Sequence, residues 1–131
     1  MEMTISFEDG KIVNAEYKGM LIKTDQPVKA GGEGSAPEPF TLFLASIGTC
    51  AGIYVKSFCD QRGIPAGEIK IVQSMNYNSE KKLIDKINID IQLPENFPDK
   101  YRDAVIKAAD LCTVKRHLAS PPTIEVKAEI L

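Results

Sequence analysis

The segment from Phe40 to Val55 contains no charged residue, and it constrains the fold more than any other part of the chain. Pro37 and Pro39 lie just before it, where proline is tolerated in the first turn of a helix, and Gly63 follows as a natural carboxyl-terminal cap. The segment predicts one helix of about 24 residues, roughly 36 Å long. Its uncharged run is shorter than the roughly 20 residues that a membrane span needs, so a buried core helix is the better interpretation.

The rest of the composition is typical of one globular domain, which we expect to cover residues 1–131. Hydrophobic residues make up 44% of the chain and charged residues 26%, which suits a single core. The net charge of -2 provides no basic surface, so neither nucleic acid nor an anionic membrane is an expected partner. The amino terminus, MEMTISFEDG, lacks the basic start and apolar run of a signal peptide. We therefore expect a cytoplasmic protein with reduced thiols.

Alternating apolar residues predict strands on both sides of this helix. The predicted strands cover residues 3–7, 13–17, 20–24, 67–77, 82–93 and 123–131. Asp9-Gly10 predicts a type I′ turn in the first hairpin. Helical spacing predicts two shorter helices over residues 98–111 and 112–120, the second stopped by Pro121-Pro122. The order βββ-α-ββ-αα-β is an α+β arrangement with one long central helix.

Two of the three cysteines lie on the long helix. Cys50 and Cys59 are nine residues apart, so they point to opposite sides of the helix and lie about 13 Å apart along its axis. That geometry excludes a disulfide between them. Cys59 shares its face with the small residues Gly48 and Gly52, which indicates a groove where another element packs closely. We expect Cys59 to be a packing residue.

Cys50 lies on the other side of the helix, on a face that is apolar but carries hydroxyl groups. The residues that share this face are Phe43, Ser46, Ile47, Ile53 and Tyr54. A free cysteine is by default a small buried hydrophobe. The hydroxyl groups are able to hydrogen-bond a thiolate, so local sequence leaves both interpretations of Cys50 open.

Cys112 lies at the start of a short predicted helix. Asp110 is a candidate N-cap, which places Cys112 in the first turn, where unpaired backbone N–H groups favour a thiolate. Arg116 follows four residues later over the same face, with His117 beside it. The pattern fits a reactive thiol and equally fits a capped helix with a solvated basic face.

Other kinds of site find little support in the sequence. One histidine and three cysteines occur without CxxC or HxxxH spacing, so we expect no metal site. The stretch GGEG lacks the GK[ST] of a phosphate loop, and we expect no cofactor. A Cys-His nucleophile pair that uses His117 has no visible third group.

Two motifs together resemble those of the OsmC/Ohr family, the osmotically inducible and organic hydroperoxide resistance proteins. The first motif is a proline, a run of Leu, Ala and Gly, and a cysteine eleven residues after the proline, a spacing that Pro39 and Cys50 reproduce. The second is a cysteine that starts a short helix, with valine two and leucine six residues later, as in Cys112, Val114 and Leu118. The order of strands and helices agrees along essentially the whole chain.

The resemblance implies an intertwined homodimer that reduces organic hydroperoxides. Cys50 would be the peroxidatic thiol, which attacks the O–O bond and becomes a sulfenic acid. Cys112 would resolve that intermediate as an intramolecular disulfide, which an external dithiol then reduces. An apolar pocket around Cys50 would favour organic hydroperoxides in such a stress-response peroxidase.

The chain departs from the family pattern at two charged positions. The peroxidases use an arginine from the amino-terminal region, whereas this chain has no arginine before Arg62. The lysines in that region lack the planar fork that orients a peroxide and a carboxylate together; they include Lys18, Lys23 and Lys29. The family glutamate that clamps the arginine follows the motif proline, where this chain has Phe40.

Three functions therefore remain open at the level of sequence. The first is the thiol peroxidase just described, for which Arg116 or a lysine would supply the cation. The second is a dimeric binding protein that holds a small apolar ligand without turnover. The third is a general thiol redox role. The first and third require Cys50 and Cys112 to approach each other closely, whereas the second does not.

Overall fold

The structure is a computed structural model that describes all 131 residues. Its contacts divide the chain into two compact units, residues 1–45 and residues 46–131, and the boundary falls inside the long helix. The expectation of a single domain over residues 1–131 stays a prediction.

The amino-terminal unit contains a three-stranded antiparallel sheet. Its strands, in the order β1-β2-β3, are β1 (Thr4–Phe7), β2 (Val13–Tyr17) and β3 (Met20–Thr24). The predicted type I′ turn at Asp9-Gly10 is wrong, because a five-residue connection joins β1 to β2. Lys18 and Gly19 instead form the two-residue turn between β2 and β3. Both adopt positive φ, at 51° and 77°, as a type I′ turn requires.

The loop after β3 is organised by one buried carboxylate, that of Asp25. Asp25 accepts hydrogen bonds from the backbone N–H of Gln26 at 2.7 Å and from that of Ser35 at 3.0 Å. The Ser35 hydroxyl donates to it at 2.7 Å, and the Glu33 N–H does so at 3.3 Å. These donors lower the pKa of Asp25 to about 2, with the Ser35 hydroxyl the largest contributor. The loop is therefore fixed by a single ionised group.

Asp25→Asn should destabilise this unit in a pH-dependent manner. Because the Asp25 pKa is about 2 in the folded protein and about 4 in an unfolded chain, its contribution is complete above about pH 4 and is lost as the pH falls towards 2. Thermal unfolding at pH 7 should show the variant several degrees below wild type, with the gap closing in that acidic range. Asp9→Asn, at an exposed carboxylate in the same unit, is the control. A gap that is independent of pH would contradict the assignment.

The long helix α1 runs from Pro39 to Asp60, 22 residues against the 24 predicted. It ends where Gly63 adopts φ 64° and the Ile64 N–H bonds to the carbonyl of Cys59 at 2.9 Å. The positive φ explains why glycine stands at this position.

The carboxyl-terminal unit adds a two-stranded sheet and two short helices to α1. Strand β4 (Lys70–Asn78) pairs antiparallel with β5 (Leu83–Gln92), with an irregularity between Asn76 and Tyr77. Helix α2 (Arg102–Asp110) follows a 3₁₀ turn, and helix α3 (Thr113–Ala119) ends just before the two prolines. These elements match the sequence predictions.

The core of this unit lies between α1, the sheet and α2. Its buried members are Ala51, Val55, Phe58, Cys59, Phe97, Val105 and Ala109. Cys59 is fully buried, and burial raises the pKa of its thiol, so its predicted packing role is confirmed. A Cβ on Gly48 would lie 2.6 Å from the Gln73 side-chain oxygen, which confirms the close approach of another element at the small-residue face.

Helix α1 is long and apolar enough to cross a membrane by length and composition alone. In the structure it is a core helix of an α+β fold, with one face buried in the core just described. That finding agrees with the sequence interpretation.

The predicted final strand over residues 123–131 is wrong for the isolated chain. Residues 121–131 adopt no regular secondary structure and are exposed throughout. Val126 and Ile130 are 93% and 101% exposed, so the apolar side of the alternating pattern is uncovered. The alternating pattern is typical of a strand, but a strand needs a neighbour for its backbone hydrogen bonds, and no strand of this chain pairs with the segment.

Candidate active site

The structure brings Cys50 and Cys112 together, 62 residues apart in sequence. Cys50 lies on α1 and is partly buried, Cys112 directly precedes α3 and is buried, and both thiols are free. The Cys112 thiol is near enough to the Cys50 sulfur to lower the pKa of the Cys50 thiol as a hydrogen-bond donor. It also lies 3.9 Å from the carbonyl oxygen of Ile47 on α1. Cys59 takes no part in this pair.

Cys112 is itself the N-cap of α3. Its sulfur accepts a hydrogen bond from the backbone N–H of Lys115 at 3.4 Å. The prediction that Asp110 caps this helix is wrong, because the Asp110 carboxylate forms an ion pair with the side chain of Lys115 instead. Capping fixes the Cys112 sulfur at the start of the helix, facing α1.

The surroundings of Cys50 favour its thiolate. Burial is the largest single influence and opposes ionisation, but four favourable contacts outweigh it. In order of size, they are hydrogen bonds from the Val114 N–H, the Cys112 thiol and the Thr113 N–H, followed by the positive charge of Arg116. The net effect lowers the pKa of Cys50 below that of an ordinary thiol.

The surroundings of Cys112 act in the opposite direction. Burial raises the pKa of the Cys112 thiol, and the hydrogen bond to Cys50 and the negative charge of the Cys50 thiolate raise it further. The Lys115 N–H only partly offsets these effects. Cys50 therefore ionises first, and Cys112 keeps its proton while it donates to the Cys50 sulfur.

Arg116 is the cation that acts on Cys50, as the sequence allowed. Its Nη2 lies 3.5 Å from the Thr113 hydroxyl oxygen. The Tyr54 hydroxyl lies 2.9 Å from the same oxygen, and Nδ1 of His117 lies 2.7 Å from the Thr113 carbonyl oxygen. Sequence reasoning placed Tyr54 on the Cys50 face but missed Thr113, since nothing local shows that the residue after Cys112 meets α1.

A cavity of about 330 Å³ opens beside Cys112. Isoleucine side chains from β5 form one wall, and α1, α2 and α3 form the others. The residues that line it are Ile47, Ala51, Ile87, Ile89, Ile91, Ile106, Ala109, Asp110, Cys112, Lys115 and Leu118. Its size and apolar lining suit the apolar part of a small ligand.

No group of three or more His, Cys, Asp or Glu side chains is arranged to bind a metal ion. The two neighbouring thiols have opposite pKa shifts. Such a pair suits thiol oxidation followed by disulfide formation.

The fold and this site define an α+β protein with a two-cysteine thiol centre. A protein-family model described as "OsmC-like protein" matches residues 32–127, which is more than half of the chain. The chain belongs to the OsmC-like family, and the resemblance seen in the sequence is confirmed. No curated protein matches the chain.

Several solved structures share the fold. One from Psychrobacter arcticus 273-4, provisionally described as an osmotic stress induced and detoxification response protein, is 18% identical, with a TM-score of 0.71 over 87% of this chain and 85% of that one. The organic hydroperoxide resistance protein OsmC of Legionella pneumophila is 20% identical, with a TM-score of 0.52 over 90% and 89%. The organic hydroperoxide resistance protein OhrB of Bacillus subtilis is 16% identical, with a TM-score of 0.52 over 88% and 88%. At these identities the likeness establishes the fold alone.

The proteins that share the fold thus include ones described as organic hydroperoxide resistance proteins.

Proposed function

We propose that this protein is a thiol peroxidase that reduces organic hydroperoxides, with Cys50 as the peroxidatic and Cys112 as the resolving thiol. The observation that carries the proposal is the approach of the free Cys112 thiol to the α1 segment that bears the free Cys50 thiol, with the pKa of Cys50 lowered and that of Cys112 raised. A peroxidatic thiol must be ionised to attack, and the resolving thiol must lie near it to react with the sulfenic acid that forms. Membership of the OsmC-like family supports the same function.

The first step forms a sulfenic acid. The Cys50 thiolate attacks the outer oxygen of the hydroperoxide, the O–O bond breaks, and Cys50 becomes Cys50–SOH. The leaving alkoxide takes one proton and departs as an alcohol. Arg116 acts on the same sulfur and is the cation we assign to the negative charge of this step.

The second step forms the disulfide. Cys112 attacks the Cys50 sulfur, its thiol proton joins the departing hydroxide, and water leaves. An external dithiol then reduces the disulfide and becomes a disulfide itself. One hydroperoxide and two reducing equivalents thus give one alcohol and one water.

Preference for organic substrates follows from the apolar surroundings. Ile47 is buried and Ile53 is 57% exposed, and both flank Cys50 on α1. These side chains would contact the alkyl part of a hydroperoxide, a contact that hydrogen peroxide cannot make.

Cumene hydroperoxide added to the reduced protein should form a Cys50–Cys112 disulfide within seconds. Peptide mapping by mass spectrometry under non-reducing conditions would identify it, and Cys59→Ser is the matched control that should behave as wild type. If the thiols stay reduced, or if only Cys59 is oxidised, the peroxidase proposal fails.

Binding of a small apolar ligand without turnover is the second candidate function, and the cavity beside Cys112 favours it. A fluorescent dye such as ANS should then bind, while cumene hydroperoxide leaves both thiols reduced. Ile89→Asp, which places a charge in the cavity wall, should abolish dye binding in that case. Dye binding together with rapid disulfide formation would favour the peroxidase instead.

We also infer that the protein is a homodimer in which residues 123–131 add a strand to a second copy. The segment carries an uncovered apolar side, and the three-stranded sheet also leaves Phe7 and Leu21 exposed, at 81% and 63%. Monomeric proteins rarely expose so much apolar surface together. Both observations support burial of these surfaces between subunits.

Sedimentation velocity at micromolar concentration should therefore give a dimer. Val126→Asp, on the apolar side of the segment, should shift the protein to a monomer or to aggregates. Lys127→Ala, on the polar side, should leave the dimer intact. A monomeric wild-type protein would contradict this inference.

A further inference from the structure

Besides the Cys112 thiol, Thr113 also joins the two cysteine-bearing segments by a side-chain hydrogen bond. Its hydroxyl oxygen lies 2.9 Å from the Tyr54 hydroxyl on α1, one helical turn after Cys50. The same oxygen accepts from Nη2 of Arg116 at 3.5 Å on α3. We call these three side chains the Tyr54–Thr113–Arg116 chain. It connects the helix that carries Cys50 to the cation that acts on Cys50.

The donor and acceptor capacities of the three groups fix the direction of these bonds. A guanidinium only donates, so the Thr113 oxygen must accept from Arg116. A threonine oxygen has two acceptor sites and one proton, so it can bond to the Tyr54 hydroxyl at the same time. Both contacts therefore exist together, and the loss of either hydroxyl frees Arg116 from α1.

Arg116 needs such a restraint because it is exposed. A long, solvated arginine side chain samples many rotamers, and its attraction for a nearby anion falls when it is free to move and is screened by salt. Held through Thr113, the guanidinium stays on the side of α3 that faces Cys50. The backbone N–H of Thr113 also lowers the pKa of Cys50, so holding Thr113 in place acts on two of the groups that favour the Cys50 thiolate.

We propose that Tyr54 and Thr113 are positioning residues that hold Arg116 in place against the Cys50 thiolate. The proposal rests on the proposed peroxidase function for its biological meaning. In that role the Tyr54–Thr113–Arg116 chain keeps a cation beside the Cys50 sulfur, although the protein has no arginine before Arg62. Neither positioning residue needs to touch the hydroperoxide.

The test measures the reactivity of the Cys50 thiolate without any peroxide. Iodoacetamide alkylates only the thiolate, and peptide mass spectrometry follows Cys50 separately from Cys112. Tyr54→Phe and Thr113→Val, which remove single hydroxyl groups, should each lower the Cys50 alkylation rate at pH 7 by about fivefold. Thr113→Ser keeps the hydroxyl and should restore the rate. Tyr77→Phe, at an exposed tyrosine on β4, should match wild type.

Two further readouts separate positioning from a structural role. The wild-type rate should fall as salt rises, because Arg116 is exposed, whereas Tyr54→Phe should be much less sensitive to salt. In an Arg116→Gln background, Tyr54→Phe should lower the Cys50 alkylation rate little further, since the two residues act through one contact. A full fivefold loss in that background, or a Tyr54→Phe rate equal to that of Tyr77→Phe, would overturn the proposal.

The peroxide experiment remains an independent test of function. If the alkylation results are as expected while cumene hydroperoxide leaves both thiols reduced, the peroxidase proposal fails and the positioning of Arg116 stands. If hydroperoxide forms the disulfide while the alkylation rates of all variants are equal, the positioning proposal fails and the peroxidase stands.

Discussion

For the proposed peroxidase, Cys112→Ser should give a protein that its substrate consumes instead of one that is recycled. Cys50 keeps the Thr113 and Val114 N–H donors and Arg116, and a serine hydroxyl can still donate to its sulfur. The first step should therefore run within about threefold of the wild-type rate. The sulfenic acid then has no neighbouring thiol, because Cys59 is fully buried on another face of α1. Excess hydroperoxide should oxidise Cys50 irreversibly to the sulfinic acid.

Dimedone trapping and turnover measurements check this expectation. After one equivalent of cumene hydroperoxide, the variant should carry a dimedone adduct on Cys50, whereas wild type should carry none and hold a disulfide. With excess hydroperoxide and a dithiol, wild type should complete many cycles and the variant should lose activity within a few. Cys50→Ser is the matched variant, and its reaction rate should fall by about a thousandfold or more, since the nucleophile itself is gone.

The contrast between the two variants is what assigns the roles. If Cys112→Ser and Cys50→Ser lose the first step equally, both thiols are needed for attack and the assigned order of ionisation is incorrect. A dimedone adduct on Cys112 in the Cys50→Ser protein would show that Cys112 is the attacking thiol.

The elements that the sequence predicted well are those whose pattern is local. The uncharged run after Pro39 and the turn at Gly63 locate α1 within a few residues, because a helix depends on neighbouring residues. The alternation in residues 67–93 predicts β4 and β5, which are joined by a short connection. The first hairpin lies where it was predicted, but its connection has five residues instead of a two-residue turn, because the pairing of Phe7 with Val13 leaves residues 8–12 between the strands.

The parts of the site that sequence reasoning missed depend on contacts distant in sequence. Cys112 was expected in the first turn of its helix, with Asp110 as cap, but its own sulfur caps the helix while Asp110 pairs with Lys115. The bond between Tyr54 and Thr113 spans 59 residues and has no local signature. The final strand was expected from its alternation, but alternation does not say which chain supplies the neighbouring strand.

Phe58→Ala should have the largest effect on stability of any single substitution in the carboxyl-terminal unit. Phe58 is 8% exposed, its ring meets the edge of Tyr101 with centroids 5.8 Å apart, and the Arg62 guanidinium lies 3.6 Å from its centroid. Removing a buried phenylalanine ring usually costs about 3–5 kcal/mol, and the lost stacking of Arg62 adds about 0.5–1 kcal/mol. Urea unfolding should place the midpoint about 2 M below wild type.

Phe58→Leu and Arg62→Met divide this loss into its two parts. Phe58→Leu keeps most of the buried volume and should recover more than half of the stability. Arg62→Met removes the stacked charge and the hydrogen bond from the guanidinium to the Phe58 carbonyl oxygen, and should cost about 1–2 kcal/mol. All variants must be compared at one protein concentration, because the unfolding of a dimer depends on concentration. If Arg62→Met proves as damaging as Phe58→Ala, then the end of α1 is held by the guanidinium, which also donates to the Phe58 carbonyl oxygen at 3.0 Å. If Phe58→Ala loses more stability than Arg62→Met, the buried ring holds the carboxyl-terminal half of α1 in place, and with it the helix that carries Cys50.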